Sequence, residues 1–191
     1  INKNLVNNFI IFMSLTLFIL IFDSFVQVLF GQNLIGMQMD SGMGWRYSGL
    51  FGDEAVLGSY ISKLLPLFFA LLIVQKVKFK NFNYYLMFIS LFGLVLIYIS
   101  GERSAFFGTL LFLIILFLFL EDKKIKFLLN KLLISGLIII CSVSIINSDF
   151  KTRMIDQTLD TIGFLDKNFK FFSDTHQAHY VISIKMFKDN P

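Results

Sequence analysis

Charged side chains are scarce in this sequence: 13 Asp and Glu with 17 Lys and Arg make up 16% of 191 residues, where a soluble domain carries about a quarter. Too few are present to coat a water-exposed surface, which excludes a water-soluble enzyme. Only two prolines occur, so helices can run long with few breaks. The one cysteine, Cys141, lies in an apolar run. No intrachain disulfide can form, and the redox compartment is not readable from it. Also missing are a Gly-rich phosphate loop, a dinucleotide fingerprint, a His-Glu-x-x-His run and paired-cysteine spacing. No cofactor and no metal is expected.

What is abundant is apolar bulk. Hydrophobic residues make up 56% of the chain, 25 of them Phe, and the mean hydropathy is +0.74. The expected fold is all-α, a polytopic transmembrane helical bundle. Five segments, 9–30, 55–75, 84–100, 104–120 and 127–146, are apolar and long enough at 1.5 Å per residue to cross about 30 Å of hydrocarbon. None alternates in the manner of a membrane barrel. The third and fourth are joined only by Gly101-Glu102-Arg103 and should form a tight hairpin. Residues 1–146 thus form the bundle. Residues 147–191, with Lys, Asp and Asn spread among Phe, form an outer segment whose parts 149–160 and 178–188 read as interfacial amphipathic helices. The chain is expected to be an internal piece of a longer protein without a signal peptide.

The net charge of +4 is spread over the ends of the apolar segments instead of one stripe, which argues for membrane topology and against nucleic acid. Connection 76–83 carries Lys76, Lys78 and Lys80, and 121–131 carries Lys123, Lys124, Lys126 and Lys131; both belong inside. Connections 31–54 and 101–103 hold one Arg each and no Lys. They belong outside, with Lys3 inside and everything after Asn147 outside.

The two outer arginines, Arg46 and Arg103, are the first site candidates. A guanidinium fork bonds phosphate oxygens bidentately and keeps its charge, so two at one face can hold a diphosphate; the plainer reading is a pair of headgroup anchors. Asp53 and Glu54 open the second span, Asp53 as an N-cap or a cavity residue, Glu54 as a partner of Arg46 or a base for a substrate hydroxyl. Lys63, in mid-span, is a cavity candidate because an intramembrane ammonium needs a polar interior. Asp23 and Gln27 share a face of the first span and read as a polar contact between helices or, less simply, as substrate ligands. His176 and His179 stand three apart, each a surface residue or a general base.

These residues fall into a pattern. Gln27-x-x-Phe30-Gly31-x-Asn33-Leu34-x-Gly36, then Arg46-Tyr47-Ser48-Gly49-Leu50-Phe51-Gly52-Asp53-Glu54-x-x-x-Gly58-Ser59-Tyr60, resembles the O-antigen polymerase and O-antigen ligase family. Gly101-Glu102-Arg103-Ser104-Ala105 resembles that family's motif of Ser and Arg after a span, with Glu102-Arg103 in place of Ser-Arg. Met186-Phe187-Lys188-Asp189-Asn190-Pro191 is similar to the start of its large periplasmic loop. The resemblance implies a multi-pass inner-membrane glycosyltransferase of which this chain is about half. Such enzymes act at the periplasmic face on glycans carried by undecaprenyl diphosphate, with no nucleotide and no required metal. By the same resemblance Arg46 and Arg103 bind the diphosphate and the family's own catalytic His falls beyond Pro191; Glu54, His176 and His179 are catalytic candidates by their chemistry alone. A chain-length regulator protein is the implied partner. The form of Phe51-Gly52-Asp53-Glu54 favours polymerase over ligase. A lipid-linked oligosaccharide flippase is the alternative from another class.

Overall fold

The computed structural model describes residues 3–38, 46–75, 82–162 and 174–189. Among them the regular elements are helical, and the strand-like exception is an isolated bridge between Gln32 and Gln38. Five helices coincide with the five apolar segments: α1 (Lys3–Phe30), α2 (Leu57–Gln75), α3 (Phe82–Ile99), α4 (Arg103–Phe119) and α5 (Lys123–Ile146). Two of them, over Asn4–Phe30 and Lys123–Ile146, are long and apolar enough to cross a membrane, with mean hydropathies of 2.4 and 2.2. The apolar stretches Leu57–Leu71, Met87–Ile99 and Arg103–Phe119 are shorter. Helix count therefore agrees with the expectation of five spans, while spanning length belongs to two.

Helix ends differ from hydropathy edges for local reasons. α1 begins at Lys3 and not near residue 9, because its polar first turns contain no Gly or Pro and a helix once nucleated extends through them. α5 begins at Lys123 and not at residue 127. The Asp122 carboxylate accepts from Lys124 N at 2.8 Å and Ile125 N at 3.3 Å, an N-cap that hydropathy does not register. Pro66 sits inside α2 and leaves the Ser62 carbonyl without its helical donor.

α3 lies at the centre, packed against α1, α2, α4 and α5. Its residues Leu94, Leu96, Ile97 and Tyr98 are buried, with Leu17 of α1 and Leu57, Ile61, Leu65, Phe68 and Phe69 of α2. The helices approach closely where a side chain is missing: a Cβ on Gly93 would come 3.0 Å from Leu65, and one on Gly136 would come 3.0 Å from Leu94. Phe25 and Phe92 meet edge to face at 5.3 Å between α1 and α3. Outward-facing Phe12, Ile19 and Phe22 of α1 and Ile134, Leu137 and Ile138 of α5 remain exposed, a surface suited to lipid or to further helices.

The chain divides into two compact units, Ile1–Phe150 and Lys151–Pro191, close to the boundary expected at 146/147. α6 (Ser148–Lys151) runs through the division into a π-helical turn, Thr152–Asp156, and α7 (Gln157–Thr161); α8 (Asp174–Asp189) follows. Helices thus occupy both stretches that the sequence marks as amphipathic.

Candidate functional site

At one end of the first unit, the C-terminus of α1 runs into a connection described over residues 31–38 and 46–56. Its first part is a tight turn built by Asn33, whose Oδ1 accepts from Ile35 N at 3.1 Å and Met37 N at 2.8 Å. Its later part, 46–56, contains one short 3-10 turn, Gly49–Phe51. The two parts are fastened to each other and to α1 by buried polar groups. Gln27 Oε1 accepts from Gly49 N at 2.8 Å, Asn33 Nδ2 donates to Gly49 O at 2.9 Å, and Asp23 Oδ1 accepts from Leu34 N at 3.0 Å. Asp23, Ser24 and Gln27 are fully buried. Asp23 and Gln27 do share a face, but the partner expected on another helix is loop backbone instead: peptide groups entering an apolar interior need acceptors, and these side chains supply them.

Gly49 fits here because nothing larger would. Its φ is +55°, a left-handed conformation that side chains disfavour, and a Cβ would lie 2.5 Å from Ser24 Oγ. Upstream, Ser48 is buried and the Tyr47 ring packs 6.1 Å from Phe150; burial raises the Tyr47 phenol above its ordinary 10.0. Arg46 is half-buried, its Nε enclosed and without a partner among the described residues.

The α3–α4 hairpin comes to the same place. Its turn is closed by Gly101 N donating to Tyr98 O at 3.1 Å. Glu102, beside Arg103, reaches across to the first turn of α2: Oε1 accepts from Gly58 N at 2.7 Å, and Oε2 accepts from Ser59 N at 2.9 Å and from Ser59 Oγ. A carboxylate facing the unpaired N–H groups at the positive end of a helix dipole is a strong cap. It comes from a residue about 44 positions away in sequence. Gly58 makes the contact possible, since a Cβ there would collide with Ser100 Oγ and sit 3.1 Å from Glu102.

This arrangement corrects one expectation, the N-cap of α2, and shows where the other candidates lie. Asp53 does not cap α2, which begins at Leu57; the capping carboxylate is that of Glu102. Asp53 and Glu54 are exposed, and Glu54 N turns back to Phe51 O at 3.2 Å. Lys63 is exposed as well, because at its register α2 turns the opposite face, Ile61, Leu65 and Phe68, to the core. The segment bearing Arg46 and the tip bearing Arg103 nevertheless reach the same helix end, since a Cβ on Gly49 would lie 3.6 Å from Leu57, one residue from the Gly58 amide that Glu102 holds.

Comparison of the chain with protein-family models, curated proteins and solved structures finds no match. The site is therefore defined by its own geometry.

In the second unit, His179 is exposed on α8; His176 falls on the same helix, with its side chain outside the described residues. Among the described residues no group of three or more His, Cys, Asp or Glu gathers to hold a metal ion. Two narrow crevices in the helix packing, at Met87 and Leu129 and at Ser90 and Thr109, are lined by none of the candidate residues. Sequence reasoning quoted Asn33, Gly49 and Ser59 within motifs but gave them no role, and it missed the capping role of Glu102. A carboxylate in a three-residue turn between apolar helices was the available signal for Glu102, because it has to find donors nearby.

Proposed function

We propose that the chain forms part of a multi-pass glycosyltransferase of the bacterial inner membrane. The five helices of the first unit span the bilayer, with the Arg46 and Arg103 end periplasmic. The enzyme joins oligosaccharides carried on undecaprenyl diphosphate, in the manner of an O-antigen polymerase. An acceptor hydroxyl attacks the anomeric carbon, the bond from that carbon to the diphosphate oxygen breaks, and lipid diphosphate leaves with the electron pair while the hydroxyl proton passes to a base. Arg46 and Arg103 stabilise the charge that develops on the leaving group. Glu54, exposed on the connection that bears Arg46, is the base candidate of this unit, and His179 that of the second.

The observation that carries this reading is that two arginine-bearing segments meet at one helix end, where the Phe51 ring packs 5.1 Å from Tyr60 and Glu102 bonds Gly58 and Ser59. A ligase that transfers glycan to lipid A core would use the same donor chemistry. A flippase would draw on cationic side chains inside its spans, and Lys63 at the helix surface lends it no support.

The test substitutes each arginine in the full-length protein and reads the ladder of polysaccharide chain lengths at matched expression. Arg→Lys keeps the charge and loses the fork, so activity falls about 10-fold to 100-fold, or roughly 1.4 to 3 kcal/mol, and Arg→Ala falls further. Headgroup anchors would accept Lys freely. Normal ladders from both Arg46→Ala and Arg103→Ala refute the diphosphate site.

A further inference from the structure

Gly49 is gripped at both of its peptide groups, its N–H by Gln27 Oε1 at 2.8 Å and its carbonyl by Asn33 Nδ2 at 2.9 Å. Both gripping side chains are buried. Joining α1 to α2 does not rest on them alone, because the two helices also pack directly, with Leu17 of α1 and Leu57 and Ile61 of α2 buried. Buried polar pairs of this kind select one arrangement of the chain out of several that an apolar contact would tolerate. Here the selected element is the backbone three residues after Arg46. Ser48 is buried and Tyr47 packs against Phe150, so residues 47–49 are each held by a contact. The Arg46 side chain thereby starts from a set backbone position, with its Nε–H enclosed and without an acceptor among the described residues.

We propose that Gln27 and Asn33 are positioning residues for Arg46, holding Gly49 by its two peptide groups so that the guanidinium meets the substrate diphosphate without reorganisation. This rests on the reading of Arg46 as a diphosphate ligand.

Two substitutions cut the grip separately. Asn33→Asp keeps the Oδ acceptor for Ile35 N and Met37 N, so the turn survives, but it loses the donor to Gly49 O. Gln27→Leu keeps the volume and loses the acceptor for Gly49 N. Each is measured in the full-length protein in vesicles, with a synthetic undecaprenyl-diphosphate-linked oligosaccharide as donor, beside Arg46→Ala and the double variants. The expected result is a drop of about 10-fold in kcat/KM for the donor with each single variant, read at a temperature where every variant stays folded, because an unpartnered Gly49 N–H or carbonyl also lowers the unfolding midpoint. No further drop is expected when either is added to Arg46→Ala, since a positioning residue has nothing left to position. Losses that multiply in the double variants overturn the proposal, as does full activity of both Asn33→Asp and Gln27→Leu beside an impaired Arg46→Ala; either leaves the diphosphate site standing. An Arg46→Ala enzyme as active as the parent overturns the diphosphate site itself, and the proposal with it.

Discussion

Removing the Glu102 carboxylate tests the capping geometry most directly. In Glu102→Ala, Gly58 N, Ser59 N and Ser59 Oγ lose their acceptor together, at a helix end where the dipole already favours negative charge. Hydrogen bonds to a charged group contribute about 1.5 to 3 kcal/mol each when buried. Glu102 is only partly buried, so water takes up part of the loss, and a single N-cap is worth about 1 kcal/mol. The expected net destabilisation lies between these limits, about 2 to 3 kcal/mol. Glu102→Gln should recover less than half of it, because one carbonyl remains and the amide NH2 turns a donor toward a donor. Ser59→Ala should cost about 1 kcal/mol and, in the Glu102→Ala background, almost nothing, since the hydroxyl has already lost its partner. Equilibrium unfolding in mild detergent measures all four. A Glu102→Ala protein within about 0.5 kcal/mol of the parent would falsify the cap, as that is the range of an ordinary surface substitution.

Gly49→Ala combines a left-handed backbone costing about 1 to 2 kcal/mol with the clash against Ser24 Oγ, so a loss of about 3 kcal/mol is expected by the same unfolding assay. Gly108→Ala, where a Cβ meets nothing within 4 Å, should instead gain about 0.5 to 1 kcal/mol from helix propensity; equal effects at the two glycines would contradict the geometry. For topology, an impermeant thiol reagent should label Leu34→Cys from the periplasmic side and Lys124→Cys only after the inner membrane is opened, both in a Cys141→Ser background. The opposite pattern refutes the orientation drawn from the lysines.

Much of the architecture was legible in the sequence. Five apolar runs became five helices, and Gly101-Glu102-Arg103 became a hairpin turn, because helix formation in apolar surroundings depends on near-neighbour hydrogen bonds that composition alone can support. The site was legible only in outline. Asp23 and Gln27 stood out as polar residues sharing a face, but Gly49 as the partner of Gln27, 22 residues on, lay beyond any local pattern. Asp53 was a sound N-cap by sequence position and lost the role when α2 began at Leu57. Lys63 was marked by its charge in an apolar run, whereas its exposure follows from which face of α2 meets α1 and α3.

The sequence alone established that the chain is apolar and that, within residues 1–146 and apart from Lys63, its lysines fall near one set of ends of the apolar runs and Arg46 and Arg103 near the other, since hydropathy and charge act residue by residue and add along the chain. Only the tertiary structure decided which carboxylate caps α2, which side chains receive the Gly49 peptide and which charged residues lie at the surface. These are contacts between groups about 16 to 44 positions apart. No period or motif encodes them, because each depends on the two groups arriving at one place with donor facing acceptor.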